Sequence, residues 1–288
     1  MKQNFLGIEE QYSSLDKSKT VIIPVPYEAS TSYMPGTKFG PDAIINASVY
    51  VELYDEELDR ETYKTGICTT PAIDFLGEVN KDFERITQTF KMYLDRNKFP
   101  IGLGGEHSLT YAIYRAFHEK YKNLSVLQLD AHSDLRDSYE GSPFSHASVM
   151  KRIYDLNKNI VQVGIRSQCV EEADFIKEHK INTVYAYMIK KDGFLKSTIE
   201  NLTENVFITF DVDYFDPAVI PATGTPEPGG FFWDETLQFL KEVFRQKNVV
   251  GFDVVELSPI DNLVHADFTI AKLIYKLIGF KFFNGSKE

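Results

Sequence analysis

The chain has 288 residues, long for one α/β domain but within its range. With 43% hydrophobic and 25% charged residues it can fill a core, which excludes a disordered polypeptide. A net charge of −11 argues against nucleic acid or anionic lipid as partner and suits small cations, although an acidic surface also serves solubility alone.

Met1 to Tyr12 carries no basic stretch followed by an apolar one, so no secretory leader is expected. The first strand is expected at Val21–Val25, far too short to span a bilayer, and a helix at Pro41–Tyr50. Cys68 and Cys169 lie far apart without a CxxC pattern, which fits two free thiols in a reducing cytoplasm. A helix at Lys81–Asn97 leads to a strand at Pro100–Leu103 and a Gly-rich turn. The alternation continues with helix Leu109–Tyr121, strand Ser125–Leu129, helix Ala147–Leu156, strand Ile160–Val163 and helix Val170–His179. Strands at Thr183–Tyr185 and Val206–Phe210 precede a Pro- and Gly-rich stretch, Thr223–Gly230. Helix Trp233–Gln246, strand Val249–Val255 and helix Leu263–Ile278 close the chain. Near-continuous apolar strands alternating with amphipathic segments predict a parallel sheet between helix layers. With no repeat or linker, one domain over residues 1–288 is expected. Ligands of such sheets collect at the carboxyl ends of the strands.

Three clusters sit at such ends. Asp130-Ala131-His132-Ser133-Asp134 follows a strand directly, and alternate residues of an extended segment share a side. Two carboxylates held that close are costly to bury unless a cation neutralises them. The plain alternative is a polar loop whose aspartates cap the next helix. Asp211-Val212-Asp213 repeats the pattern after Val206–Phe210, and Asp216-Pro217 then breaks the strand. In Gly104-Gly105-Glu106-His107-Ser108 the glycines permit a tight turn and His107 opens a helix; alone, it reads equally as a capping or core residue. Together, two histidines and four aspartates form an oxygen-rich donor set with imidazole, which suits Mn²⁺ better than a thiolate site would. Six side chains suffice for two ions only if some carboxylates bridge, and Asp130 and Asp211 are the candidates.

These motifs resemble those of the ureohydrolase family, which includes arginase and agmatinase: GGEHS (Gly104–Ser108), DAHSD (Asp130–Asp134), TFDVDYFDP (Thr209–Pro217), TGTPEPGG (Thr223–Gly230) and VVELSP (Val254–Pro259). The likeness runs from about Val21 onward, and it is strongest to agmatinases. It implies a three-layer α/β/α sandwich with a parallel eight-stranded sheet and a site for two Mn²⁺ ions. By that match His107, Asp130, Asp134 and Asp211 hold one ion, and His132, Asp130, Asp211 and Asp213 the other. It also implies a metal-bridging hydroxide as nucleophile, Glu256 as the carboxylate that binds the guanidinium, and His146 as the proton donor to the leaving amine. Taken alone, Glu256 reads as a surface residue and His146 as a helix start.

The loop Leu135–Ser145 departs from the arginase pattern and resembles agmatinases; its Asp137 and Glu140 are candidates for binding a second ammonium, or simply solvated loop charges. Agmatine, giving putrescine and urea, is therefore the expected substrate. Aminopropylagmatine, guanidinobutyrate and arginine remain alternatives, as do another metallohydrolase activity and a non-catalytic member of the fold. Glu106 stands where many relatives carry Asp, which bears on activity more than on metal binding. A homo-oligomer, trimer or hexamer, is expected from the same resemblance.

Overall fold

A computed structural model describes residues 4–194 and 196–283. The outermost residues of the expected domain, 1–3 and 284–288, and Leu195 lie outside that range.

Eight parallel strands form one sheet: β1 Thr20–Val25, β2 Ile67–Thr69, β3 Phe99–Gly104, β4 Leu124–Leu129, β5 Ile160–Ile165, β6 Asn182–Tyr185, β7 Asn205–Asp211 and β8 Asn248–Val255. Their spatial order is β2-β1-β3-β8-β7-β4-β5-β6. All seven strands read from apolar runs are present. The eighth, β2, was not read, because three residues ahead of Thr70-Pro71 carry no periodicity.

The helices are α1 Glu10–Ser13, α2 Gly40–Ser48, α3 Val79–Asp95, α4 Leu109–Lys120, α5 Val149–Leu156, α6 Val170–His179, α7 Ala186–Asp192, α8 Lys196–Glu200, α9 Trp233–Gln246 and α10 His265–Phe283. The sheet divides the core in two. Period-two alternation sends Val21, Ile23 and Val25 of β1 to one face, against α3 and α4, and Ile22 to the other, against α2 and α10. The result is a three-layer α/β/α sandwich. Although α10 has 19 residues, no described helix is long and apolar enough to cross a membrane.

The strand order places the chemistry. Chain direction leads from β3 through α4 to β4, yet β8 and β7 are inserted between those two strands. The carboxyl ends of the four central strands β3, β8, β7 and β4 therefore sit side by side where the winding reverses, the usual place for a ligand crevice.

Candidate metal centre

Each cluster is built by the turn that follows its strand. After β3, Gly105 packs against the chain leaving β1: a Cβ there would lie 2.0 Å from the Tyr27 carbonyl oxygen, so only glycine fits. The Glu256 amide donates to the Gly105 carbonyl (2.9 Å), and the His107 amide donates to Glu256 Oε1 (2.5 Å). His107 and Glu256 are thus fixed by each other's turns.

After β4, the His132 amide donates to Asp130 Oδ1 (2.5 Å), and the Ala131 amide to Asp213 Oδ1 (3.0 Å). After β7, the Asp213 amide donates to Asp211 Oδ1 (2.9 Å). The left-handed backbone of Asp134 (φ 53°) turns its carbonyl to the Met150 and Lys151 amides at the start of α5.

All six predicted ligands meet. His107 Nδ1 lies 3.1 Å from Asp130 Oδ2, 3.1 Å from Asp134 Oδ2 and 3.3 Å from Asp211 Oδ2. His132 Nδ1 lies 2.8 Å from Asp213 Oδ2 and 3.7 Å from Asp130 Oδ1. His107–Asp130–Asp211 and Asp130–His132–Asp213 are two groups able to hold a metal ion, with Asp130 common to both. Asp211 falls in the first group only.

The charges do not balance without a cation. Burial, then Asp213 and Asp134, push the Asp130 carboxyl up to about 7. Burial with Asp213 and Asp130 raises Asp211 well above the carboxylate range. Asp213 is held at about 2, because His132 and the Ala131 amide outweigh the effect of burial. Against the pull of burial, both imidazoles are driven well above their ordinary value, His107 mainly by Asp130 and Asp134 and His132 mainly by Asp213. His107 Nδ1 is buried among three carboxylate oxygens yet makes no hydrogen bond to any of them. Once a cation displaces the imidazole proton, this nitrogen and the carboxylate oxygens around it form a donor set for a hard divalent ion.

Beneath the site runs a row of polar residues that sequence reasoning missed. Register pairs Thr183 with Gln162, Gln162 with Gln128, Gln128 with Thr209, and Thr209 with Asp253, across β6, β5, β4, β7 and β8. Thr183 donates to Gln162 (2.8 Å), Gln162 to Gln128 (2.6 Å), and Gln128 to Asp130 Oδ2 (2.8 Å). Thr209 Oγ1 is 2.9 Å from His107 Nε2. Asp253 is fully buried, neither oxygen reaches a hydrogen-bond partner, and burial pushes it up to about 6. The signal lies in the sequence: each is a polar residue in a largely apolar strand, as in SVLQL and VFITF.

Arg166 was missed as well. Its guanidinium donates to the carbonyls of Asp213 (2.6 Å), Glu227 (2.8 Å) and Pro228 (3.1 Å), tying the turn after β7 to the Thr223–Gly230 stretch.

Above the six groups opens a cavity of about 360 Å³. Asp134, Asp211, Asp213, Glu172 and Glu256 line it, with His146 and Arg136, the one arginine or lysine among the described lining residues. Burial and the nearby Glu106 push Glu256 up to about 8. His146 is gripped by Ser30 and Ser32, from the loop after β1. The two loop acids stand apart. Asp137, with its side chain 82% exposed, is bound by Arg152 (2.5 Å) outside the cavity, and Glu140 is exposed and absent from the lining. Two neighbouring cations on α5 satisfy Asp137, so the structure does not bring this pair to the substrate space.

The arginase-family sequence model matches residues 18–279. The N(1)-aminopropylagmatine ureohydrolase of Synechocystis sp. is 38% identical over 94% of this chain and 92% of its own length. An agmatinase of Bacillus cereus is 36% identical over 90% of each. The solved structure of the agmatine ureohydrolase of Thermoplasma volcanium superposes with a TM-score of 0.88 at 29% identity, covering 98% of this chain and 94% of that one.

Proposed function

Because this chain belongs to the arginase family and is a hydrolase of guanidino substrates, we propose that it converts agmatine to putrescine and urea with two Mn²⁺ ions. The observation that carries the reading is the pair of His–Asp groups sharing Asp130 at the floor of a cavity whose wall includes Glu256 and His146. His107, Asp130, Asp134 and Asp211 would hold one ion, and His132, Asp130, Asp211 and Asp213 the other. When bound, the ions supply a water acidic enough to attack near neutral pH.

The chain's own residues do the rest. Glu256, its Oε1 fixed by the His107 amide, accepts charge-assisted hydrogen bonds from the guanidinium and sets the angle at which its carbon is presented. The incoming cation also favours the ionised form of Glu256 over the protonated one that burial prefers. His146 gives a proton to the departing nitrogen as its bond to the guanidinium carbon breaks, leaving urea and a neutral amine. An acidic lining with one arginine suits a substrate whose far end is an ammonium rather than a carboxylate. Two free cysteines suit a reducing cytoplasm, and a homo-oligomer is the expected state.

A second reading has its own support: the Synechocystis relative is named for N(1)-aminopropylagmatine, which carries a longer cationic tail. Urea release from agmatine, N(1)-aminopropylagmatine, arginine and guanidinobutyrate, after Mn²⁺ loading and with a chelated control, decides between them. Urea from agmatine, abolished by chelation, supports the first reading. Preference for the aminopropyl compound moves the substrate and keeps the mechanism. No urea from any of the four, with metal bound, overturns both.

A further inference from the structure

Glu106 precedes a candidate ligand in the chain, yet its side chain engages the loop after β1. It is fully buried. Oε2 accepts the amides of Ala29 (2.6 Å) and Ser30 (2.5 Å), and Oε1 accepts the hydroxyls of Ser30 (2.8 Å) and Ser108 (2.5 Å). Four donors on two oxygens is the acceptor capacity of a carboxylate.

The consequence reaches His146. A serine hydroxyl has one proton, and that of Ser30 goes to Glu106. What Ser30 Oγ turns to His146 is therefore lone pairs: it accepts the His146 amide at 3.1 Å and lies 3.3 Å from Nδ1. Nδ1 must carry a hydrogen to use that contact. Nε2 is then the bare nitrogen, 2.8 Å from Ser32 Oγ, whose proton it accepts. Ser145 Oγ stands 3.3 Å from Nδ1, and the Tyr139 ring meets the imidazole edge-on at 5.7 Å between centroids, so the ring is held on several sides.

We infer that Glu106 is a positioning residue for His146: by taking the Ser30 proton it holds the imidazole as the Nδ1–H tautomer and leaves Nε2, beside Ser32, as the atom that exchanges the reaction proton. The balance is one proton. The nucleophile enters as hydroxide, its other proton already lost to solvent; the remaining proton passes to Nε2, Ser32 rotating to accept from the imidazolium, and leaves Nε2 for the amine nitrogen whose bond to the guanidinium carbon breaks. The ring's tautomer and orientation are set by what its other nitrogen bonds, and here that partner is itself set by Glu106.

The inference rests on the shuttle reading of His146, and the test separates the two. With Mn²⁺-loaded protein and agmatine, Ser30→Ala is expected to lower kcat about ten-fold with KM little changed. Combined with His146→Ala it is expected to add nothing, because both act through one ring. Losses that multiply in the double variant overturn the inference. In Glu106→Gln the amide oxygen must face the fixed amides of Ala29 and Ser30, so its NH₂ donates to Ser30 Oγ and frees the Ser30 proton for His146; this variant is expected to lose the Nδ1–H tautomer and to slow turnover as Ser30→Ala does. Full turnover in Glu106→Gln also counts against it. Full turnover in His146→Ala would sink the shuttle reading instead. A readout without metal or turnover stands beside these: ¹⁵N NMR of histidine-labelled metal-free protein, with His146 assigned from its alanine variant. The Nδ1–H tautomer is expected in the native chain and its loss in Ser30→Ala. A native ring protonated on Nε2, or averaged between tautomers, overturns the inference whatever the kinetics show.

Discussion

Thr209 and Gln128 are register partners on neighbouring strands, and each holds a different metal-ligand candidate: Thr209 the ring of His107, Gln128 the carboxylate of Asp130. Groups that orient ligands in this way tune affinity without touching the ion. Thr209→Val and Gln128→Leu, which nearly keep shape, are each expected to leave the fold intact and weaken metal retention about 10- to 100-fold. Chelator competition measures this. Unchanged affinity in both would mean the row serves packing alone.

Asp130 belongs to both candidate ion groups, so its loss should not be local. Asp130→Asn and Asp211→Asn are expected to lose metal retention and turnover together, whereas His146→Ala keeps both ions and slows turnover at least about 100-fold. Metal content by mass spectrometry alongside urea release distinguishes the two patterns. A fully active Asp130→Asn with two ions would contradict the assignment.

Stability of the metal-free protein should depend on pH in a distinctive way. Burial pushes Asp253 up to about 6, Asp130 to about 7 and Glu256 to about 8. Such carboxyls bind protons more tightly folded than unfolded, so their contribution is full below about pH 4 and disappears as pH rises through the folded values. His107 and His132, raised by their carboxylates despite burial, act in the same direction: full below about pH 6.5, lost above. Asp213, held at about 2, acts oppositely but only in strong acid. The Tm of chelated protein should therefore fall from about pH 5 to pH 8. Mn²⁺ replaces the protons and should flatten or reverse the slope. A chelated Tm rising across that window would refute the charge account.

Removing the Arg166 guanidinium should disturb two turns at once. Arg166→Met keeps the aliphatic stem but strands the carbonyls of Asp213, Glu227 and Pro228. A loss on the order of 3 kcal/mol is expected in urea denaturation. Metal affinity should weaken with it, since Asp213 sits in the same turn. A stability change near zero would mean that water replaces the clamp.

Much of this was legible in the sequence because buried parallel strands announce themselves as apolar runs, and six of the site groups follow such runs directly. The structure brings those six together as their positions at strand ends suggested. What escaped had physical reasons. β2 is too short to show a period, and α7 and α8 are too short to show an amphipathic stripe. Asp137 looked like a substrate carboxylate because adjacency to a motif says nothing about partners. Arg152 and Lys151, in direct reach of it in the fold but some 15 residues on, carry no sequence signal that pairs them with it. Ser30 and Ser32 lie more than 110 positions before His146 in an unpatterned loop, and only folding makes them neighbours.

The last strand made is the one in the middle. β8 lies between β3 and β7, so until residue 255 emerges a growing chain holds two half-sheets, β2-β1-β3 and β7-β4-β5-β6, each with a raw inner edge. His107 belongs to the first half and Asp130, His132, Asp211 and Asp213 to the second. The Asp130–His132–Asp213 group is therefore complete within the second half, whereas the His107–Asp130–Asp211 group closes only when β8 joins the two halves. A message that ends prematurely before β8 would yield not a weakened enzyme but two sticky edges, material for chaperones and proteases.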